Sequence, residues 1–221
     1  MNPLSGTERT RIRRESQRAV LDRSMLFQII DEALLCHVGF VDKGQPFVIP
    51  TLAWRIDETI FLHGSRGSRM LNVLRSGTGI CVTFSLLDGL VMARSAFYHS
   101  ANYLSAVVLG KARSLDSKQE KLQALEQFME RIAPRRWPQV RSPSRQELEA
   151  TDVFALSLDE ASVKVRAGDP GDPDKDLGFP VWAGTIPVRQ VFGPMQDADN
   201  LDPAHAKPDY RSAFLDRWTE R

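Results

Sequence analysis

Cysteine is scarce in this chain: only Cys36 and Cys81 occur in 221 residues. Both sit in apolar, strand-like runs, which suits buried thiols in a reducing compartment and argues against a disulfide-stapled secreted fold. A cytoplasmic location is the expectation. An excess of charge of one sign is also lacking, because 29 Lys and Arg stand against 28 Asp and Glu for a formal net charge of +1. So balanced a composition offers nucleic acid no overall attraction, and no nucleic-acid partner is expected. No run approaches the roughly 18 apolar residues needed to span a bilayer, and the polar, Arg-rich start carries no apolar signal-peptide core. Neither a membrane partner nor secretion is expected. Histidines number four (His37, His63, His99, His205). None is spaced from another His or Cys as a zinc site requires, so no metal is predicted. Gly-x-Ser-x-Gly elbows and Gly-x-x-x-x-Gly-Lys loops are absent, which removes the commonest hydrolase and nucleotide triphosphatase signatures. Gly77-Thr78-Gly79 lacks the third glycine and the following helix of a dinucleotide fingerprint.

What is present is ordinary globular material, 42% hydrophobic and 26% charged, at a length that predicts one compact domain with flanking segments. Residues 1–23 read as an Arg-rich N-terminal arm with six arginines against Glu8, Glu15 and Asp22. A solvated arm laid over the domain is favoured there over a phosphate-docking one. Residues 24–193 read as the folded domain and 194–221 as an extended tail. Helical spacing of Met25, Leu26, Ile29, Ile30, Ala33 and Leu34 predicts a first helix capped by Asp22 or Ser24. Strands are predicted at 36–41 and 47–54 around the turn Asp42–Gln45, then at 59–63, 79–86, 90–93, 104–112 and 153–166, with Asp88-Gly89 as a turn. Short helices are predicted at 70–74 and after Ser117 and Ser144, each of the latter two with a Glu three residues on. Pro134 stops the longer one, and Asp169–Asp176 reads as a surface loop. Many short strands joined by hairpins, with helices that do not alternate regularly, predict a small antiparallel barrel with peripheral helices.

The densest site signal is His63-Gly64-Ser65-Arg66-Gly67-Ser68-Arg69, between a predicted strand and helix. Glycines let backbone approach a ligand, and Ser65, Ser68 and Arg69 add donors suited to phosphate oxygens. A plain strand-to-helix turn with Ser65 as N-cap fits the same residues, and both readings stand. Arg94–Tyr103 mixes polar groups and aromatics without an amphipathic period, as a loop that coats a pocket or an interface does. Tyr98 and His99 in it are weak catalytic candidates, His99 being equally at home as a hydrogen-bonded structural histidine. Trp182 reads as a core residue by default.

Several strings together resemble the pyridoxamine 5'-phosphate oxidase-like flavin-binding proteins, in the branch related to nitroimidazole-resistance proteins. They are Leu35–Val41, Gln45–Thr51, Leu62-His63-Gly64-Ser65, Ser68-Arg69-Met70, Asp88–Val91, Ala93–Phe97, His99-Ser100, Asn102-Tyr103, Glu160–Gly168 and Val181-Trp182-Ala183-Gly184. The resemblance spans roughly residues 10 to 190. It implies a mainly β fold with peripheral helices, a six-stranded antiparallel split β-barrel, that binds FMN between the subunits of a homodimer. By position, Val48, Ile49, Pro50, Thr51 and Leu52 would lie along the isoalloxazine ring. His63, Gly64, Ser65, Ser68 and Arg69 would hold ribityl and phosphate groups, Asn102, Tyr103 and Ser105 would complete the phosphate side, and Trp182 would reach the flavin of the other chain. Leu104 departs from the Asn-Tyr-Arg-Ser expected of the family, and Arg66 is the candidate to replace the lost guanidinium. The activity implied is an FMN-dependent oxidoreductase that passes electrons from NADH or NADPH to a small acceptor such as a nitro-aromatic, a pyridoxal-type compound or oxygen. The alternatives are a non-catalytic FMN-binding or sensing module, or a haem or deazaflavin binder of the same fold.

Overall fold

A computed structural model describes residues 3–212. Strand β1 (Ala19–Val20) and helix α1 (Arg23–Glu32) lead into a hairpin of β2 (Cys36–Asp42) and β3 (Gln45–Thr51). The Asp22 carboxylate caps α1 by accepting the Ser24 N–H, and the helix buries Leu26, Ile29 and Ile30 on one stripe. The stretch 47–54 is two strands, not one: β3 ends at Thr51, and β4 (Ala53–Ile56) joins a different sheet. Val48, Pro50 and Leu52 alternate outward, but Ala53 and Trp54 are buried in succession. A strand with one wet face cannot bury neighbours in sequence, so the chain crosses between sheets there.

Strand β5 (Thr59–Ser65) is followed by helix α2 (Arg69–Arg75), after which Gly77 turns the chain at φ 72°. Strand β6 (Ile80–Met92) then runs unbroken beside β7 (Ser100–Gly110). Asp88-Gly89, a turn by its sequence, is a bulge, with the register passing from Leu87↔Tyr103 to Gly89↔Asn102. A Cβ on Gly89 would lie 2.9 Å from Thr185 Cγ2 and 3.0 Å from the Ile186 carbonyl oxygen. The glycine therefore serves close strand approach rather than chain reversal.

The remaining elements are β8 (Arg113–Ser114), α3 (Lys118–Ile132), α4 (Arg145–Ala150), β9 (Thr151–Ser157), β10 (Ala161–Arg166) and β11 (Gly184–Pro187). Ser117 caps α3 by accepting the Glu120 N–H, and Ser144 with Glu147 forms a full capping box on α4. The run 153–166 divides at Leu158–Glu160, where the chain passes from the four-stranded sheet back to the seven-stranded one.

All pairings are antiparallel. A seven-stranded sheet has the order β1-β10-β7-β6-β2-β3 with β11 added on β6, and a four-stranded sheet has the order β4-β5-β9-β8. The two sheets do not close into one barrel, which makes this mainly β, helix-fringed chain a split barrel. The described residues hold eleven strands where the resemblance implied six, because short edge pieces (β1, β8, β11) and the sheet changes at Leu52 and at Leu158–Glu160 were not separable by pattern. The main core lies between the sheets under α1 and α2. A smaller one, with Trp54, Leu115, Ala124, Val153 and Ala155, lies between the four-stranded sheet and α3.

The N-terminal arm is part of the domain from Pro3 onward: Leu4 is buried in the main core and the Ser5 N–H donates to the Ala161 carbonyl. The tail beyond Pro194 has little regular structure and folds back, with Arg136 donating to the Tyr210 hydroxyl at 3.2 Å. Its part 213–221 lies outside the described residues. The loop 169–176 is tied down by Asp172, whose side chain is 1% exposed and accepts from the Arg94 N–H and guanidinium, both at 2.9 Å.

Candidate functional site

The edge of the seven-stranded sheet is β3, paired on one side only, with β2. Its outer side offers main-chain groups, and Val48, Pro50 and Leu52 present exposed side chains. Proline is tolerated here because an edge strand does not need every N–H. The structure brings Arg69 to this edge. Its guanidinium stands 4.4 Å from the Phe47 ring centroid, and its Nε is 3.7 Å from the Asp42 carboxylate. Arg69 remains 56% exposed, so its donors face outward and are available to an anion. Ser68 is the residue before α2, and its hydroxyl makes no cap bond.

A second concavity of about 650 Å³ lies where β6 and β7 meet the chain after β11, lined by Leu87, Ala101, Tyr103 and Val188 among others. Leu87 lines it, and Leu90, Val181, Trp182 and Ile186, on or near β6 and β11, are exposed as well. Trp182 lies 65% exposed against Gly184, where a Cβ would come within 2.9 Å of its ring. Phe97 and Tyr98 are exposed and meet edge to face at 5.1 Å. Water-facing aromatics of this number on one chain are what a second copy or a ring-shaped ligand covers.

Two other sequence candidates, Asn102 and Ser105, are committed internally. Asn102 donates to the Gly168 carbonyl at 3.1 Å and accepts from Arg166, and the Ser105 hydroxyl donates to the Lys164 carbonyl at 3.1 Å. Leu104 is buried in the main core, so a guanidinium at that place would sit among apolar side chains. Arg66 lies on the turn against α4, where its N–H donates to the Ala150 carbonyl. His99 is exposed, with Nδ1 2.9 Å from the Ser95 carbonyl oxygen in its own loop.

His63 is not with the other members of its motif. Along β5, Leu62 joins Leu71 of α2 in the main core, and Gly64 faces the same way, with Leu71 Cδ1 3.2 Å from an added Cβ. By strand alternation His63 therefore faces the opposite side, towards α3. Its ring lies 4.5 Å from the Phe128 ring and 5.5 Å from the Trp54 ring, in a pocket of about 450 Å³ walled also by Leu125, Met129 and Trp137. His63 Nδ1 is buried without a hydrogen-bond partner. Burial lowers its pKa from the usual 6.5, which keeps the imidazole neutral. An imidazole in a pocket walled mainly by apolar and aromatic side chains, which Arg141, Glu147 and Thr151 also line, has the chemistry of a metal-ligating nitrogen. The sequence concealed the pocket because Leu125, Phe128 and Met129 repeat at the spacing of a core-facing stripe.

The family model described as Pyridoxamine 5'-phosphate oxidase matches residues 22–165. The chain belongs to this family. Membership supports flavin binding as its family-level property. No sequence among curated proteins matches. Among solved structures, the flavocytochrome Anf3 from Azotobacter vinelandii is similar at 40% identity, over 94% of this chain and 97% of that one, with a TM-score of 0.89. The FAD and haem binding protein from Mycobacterium smegmatis is similar at 30% identity, over 89% and 97%, with a TM-score of 0.85. A candidate 5-nitroimidazole antibiotic resistance protein from Bacteroides thetaiotaomicron shares 26% identity over 66% and 86%, with a TM-score of 0.57. Among the described residues no helix is long and apolar enough to cross a membrane.

Proposed function

We propose that this protein is a two-cofactor redox protein, with a flavin in a groove between two copies of the chain and a haem in the pocket of His63. The observation that carries the reading is the His63 imidazole, its buried Nδ1 without a hydrogen-bond partner, in an aromatic-walled pocket on the face of β5 turned away from α2. The likeness to a flavocytochrome and to an FAD and haem binding protein supports it.

The residues fit both groups. The outer edge of β3 presents main-chain donors and acceptors to a ring system, and Arg69 presents an exposed cation beside it for a phosphate. Tyr103 and the exposed Trp182 add aromatic surface that a partner copy would enclose. In the other pocket the His63 imidazole would hold the iron, and Phe128, Met129 and Trp137 would keep water away from it. When bound, a flavin accepts an electron pair as hydride and a haem iron carries single electrons, so the pair supplies exchange between a two-electron donor and a one-electron or small-molecule acceptor. NADH or NADPH is the donor this reading expects. FMN is the flavin expected from the sequence, and the name of one relative points to FAD; acid release and chromatography of the bound flavin separates them. A cytoplasmic, reducing setting agrees with two free cysteines, of which Cys36 is pushed up to about 12 by burial.

The test is the absorbance spectrum of the purified dimer, followed by His63→Ala. Wild type should show flavin bands and an intense Soret band, and the variant should keep the flavin and lose the Soret band. A Soret band unchanged in His63→Ala, or none after incubation with haem, rejects the assignment. Anaerobic NADH or NADPH should bleach the flavin band at a rate that saturates with donor. Failure with both donors while flavin stays bound would leave a binding module rather than an oxidoreductase.

A further inference from the structure

A third concavity, of about 760 Å³, opens between the β5–α2 turn, β8, the start of α3 and α4. It shares Leu148 with the His63 pocket and no lining residue with the β6–β7 cavity. Its charge is not balanced. At the floor the Asp152 side chain, 7% exposed, is paired with both Arg75 and Lys121, the second at 3.8 Å. The Lys121 side chain is itself only 14% exposed, and its Nζ donates to the Thr151 carbonyl at 3.0 Å. One buried carboxylate thus serves two cations. On the rim Arg145 and Glu149 neutralise one another at 2.7 Å, and Asp116 is exposed to water. Arg66 and Lys118, also exposed and lining the cleft, have no acidic partner among the described residues.

In a chain whose total net charge is +1, this single cleft concentrates an excess of two positive charges. With two cations sharing one carboxylate at the floor and two unpaired cations at the mouth, the cleft has a positive potential that attracts an anion. The exposed Arg66 and Lys118, lining one cleft with the Asp152-paired Arg75 and Lys121, match the oxygens of a polyanion. The volume exceeds what a bare oxyanion fills and lies in the range of small-ligand sites, with Leu148 as an apolar wall for an organic part.

We propose that this cleft binds a phosphate-bearing small molecule of the nucleoside diphosphate class, at a site separate from the flavin groove. The proposal does not depend on the haem reading. Isothermal titration of the full-length, flavin-loaded protein with ADP should show saturable binding, tighter than that of inorganic pyrophosphate and weakened by salt. In the double variant Arg66→Glu, Lys118→Glu, both at exposed positions that leave the fold alone, the ADP Kd should rise about tenfold or more. Lys121→Met should raise it comparably, with circular dichroism reporting whether the fold is kept. No heat with ADP at millimolar concentration, or an undiminished affinity in the double variant, overturns the proposal. So does ADP binding that occurs only in flavin-free protein, because the cleft would then be part of the flavin site.

Discussion

Arg69 and His63 belong to one seven-residue motif but stand in different settings, and each makes a separate prediction. Arg69 is exposed at the β3 edge, so Arg69→Ala should weaken FMN by about 1.5 to 3 kcal/mol while leaving riboflavin nearly unchanged, because the lost contact is charge-assisted and needs the phosphate. Equal losses for the two ligands, read by fluorescence titration, would assign Arg69 to structure. His63 is half-buried with a pKa held below 6.5. Between that folded value and 6.5 the unfolded chain binds a proton that the folded chain refuses, so stability rises with pH across the window and is lost on acidification through it. The Tm of haem-free protein should therefore fall from neutral to mildly acid pH, and His63→Phe should flatten the slope. A slope unchanged by the substitution would show that other groups set it. The motif showed where His63 stands in the order of residues but not its direction, since only strand parity decides which face a side chain takes.

Among the elements, β6 depends most on a single small residue. Gly89 sits where β11 crosses close to the bulge, so Gly89→Ala should cost about 1 to 3 kcal/mol by overpacking and speed amide exchange in Thr185 and Ile186. Unchanged exchange there would mean that β11 tolerates the added methyl. The same bulge shows how far the pattern of apolar residues carries. Periodicity located α1, the β2–β3 hairpin and the capped starts of α3 and α4, because each rests on contacts within a few residues. It could not show that Leu52 and Leu158–Glu160 are crossings between sheets, since a strand that changes sheets keeps its β-branched composition. Nor could it separate a bulge from a turn at Asp88-Gly89, where the deciding neighbours, Thr185 and Ile186, are distant in sequence. For the candidate site, the family resemblance pointed to the edge strand and to Arg69, which the fold brings together. The internal commitments of Asn102 and Ser105 depend on partners that only the folded chain brings near.

For the molecule as a whole, the exposed apolar face is the feature that a single chain leaves unresolved. Leu90 and Ile186 lie opposite each other across β6 and β11, and both are more than 40% exposed. Sedimentation should find a dimer, and Leu90→Lys with Ile186→Lys should give monomers that hold less flavin. A monomer with stoichiometric flavin would refute the shared groove. The order of residues along the chain adds one more consequence. Every fully buried apolar residue among those described lies at or before Val163. The β11 strand attaches to the half of β6 that β2 leaves free. The interior can therefore be complete while the segment that follows Val163 is still unattached. That segment is fastened afterwards to a finished body by Asp172 and β11. Maturation would accordingly run in two stages, a sealed interior first and the ligand-facing outer layer second.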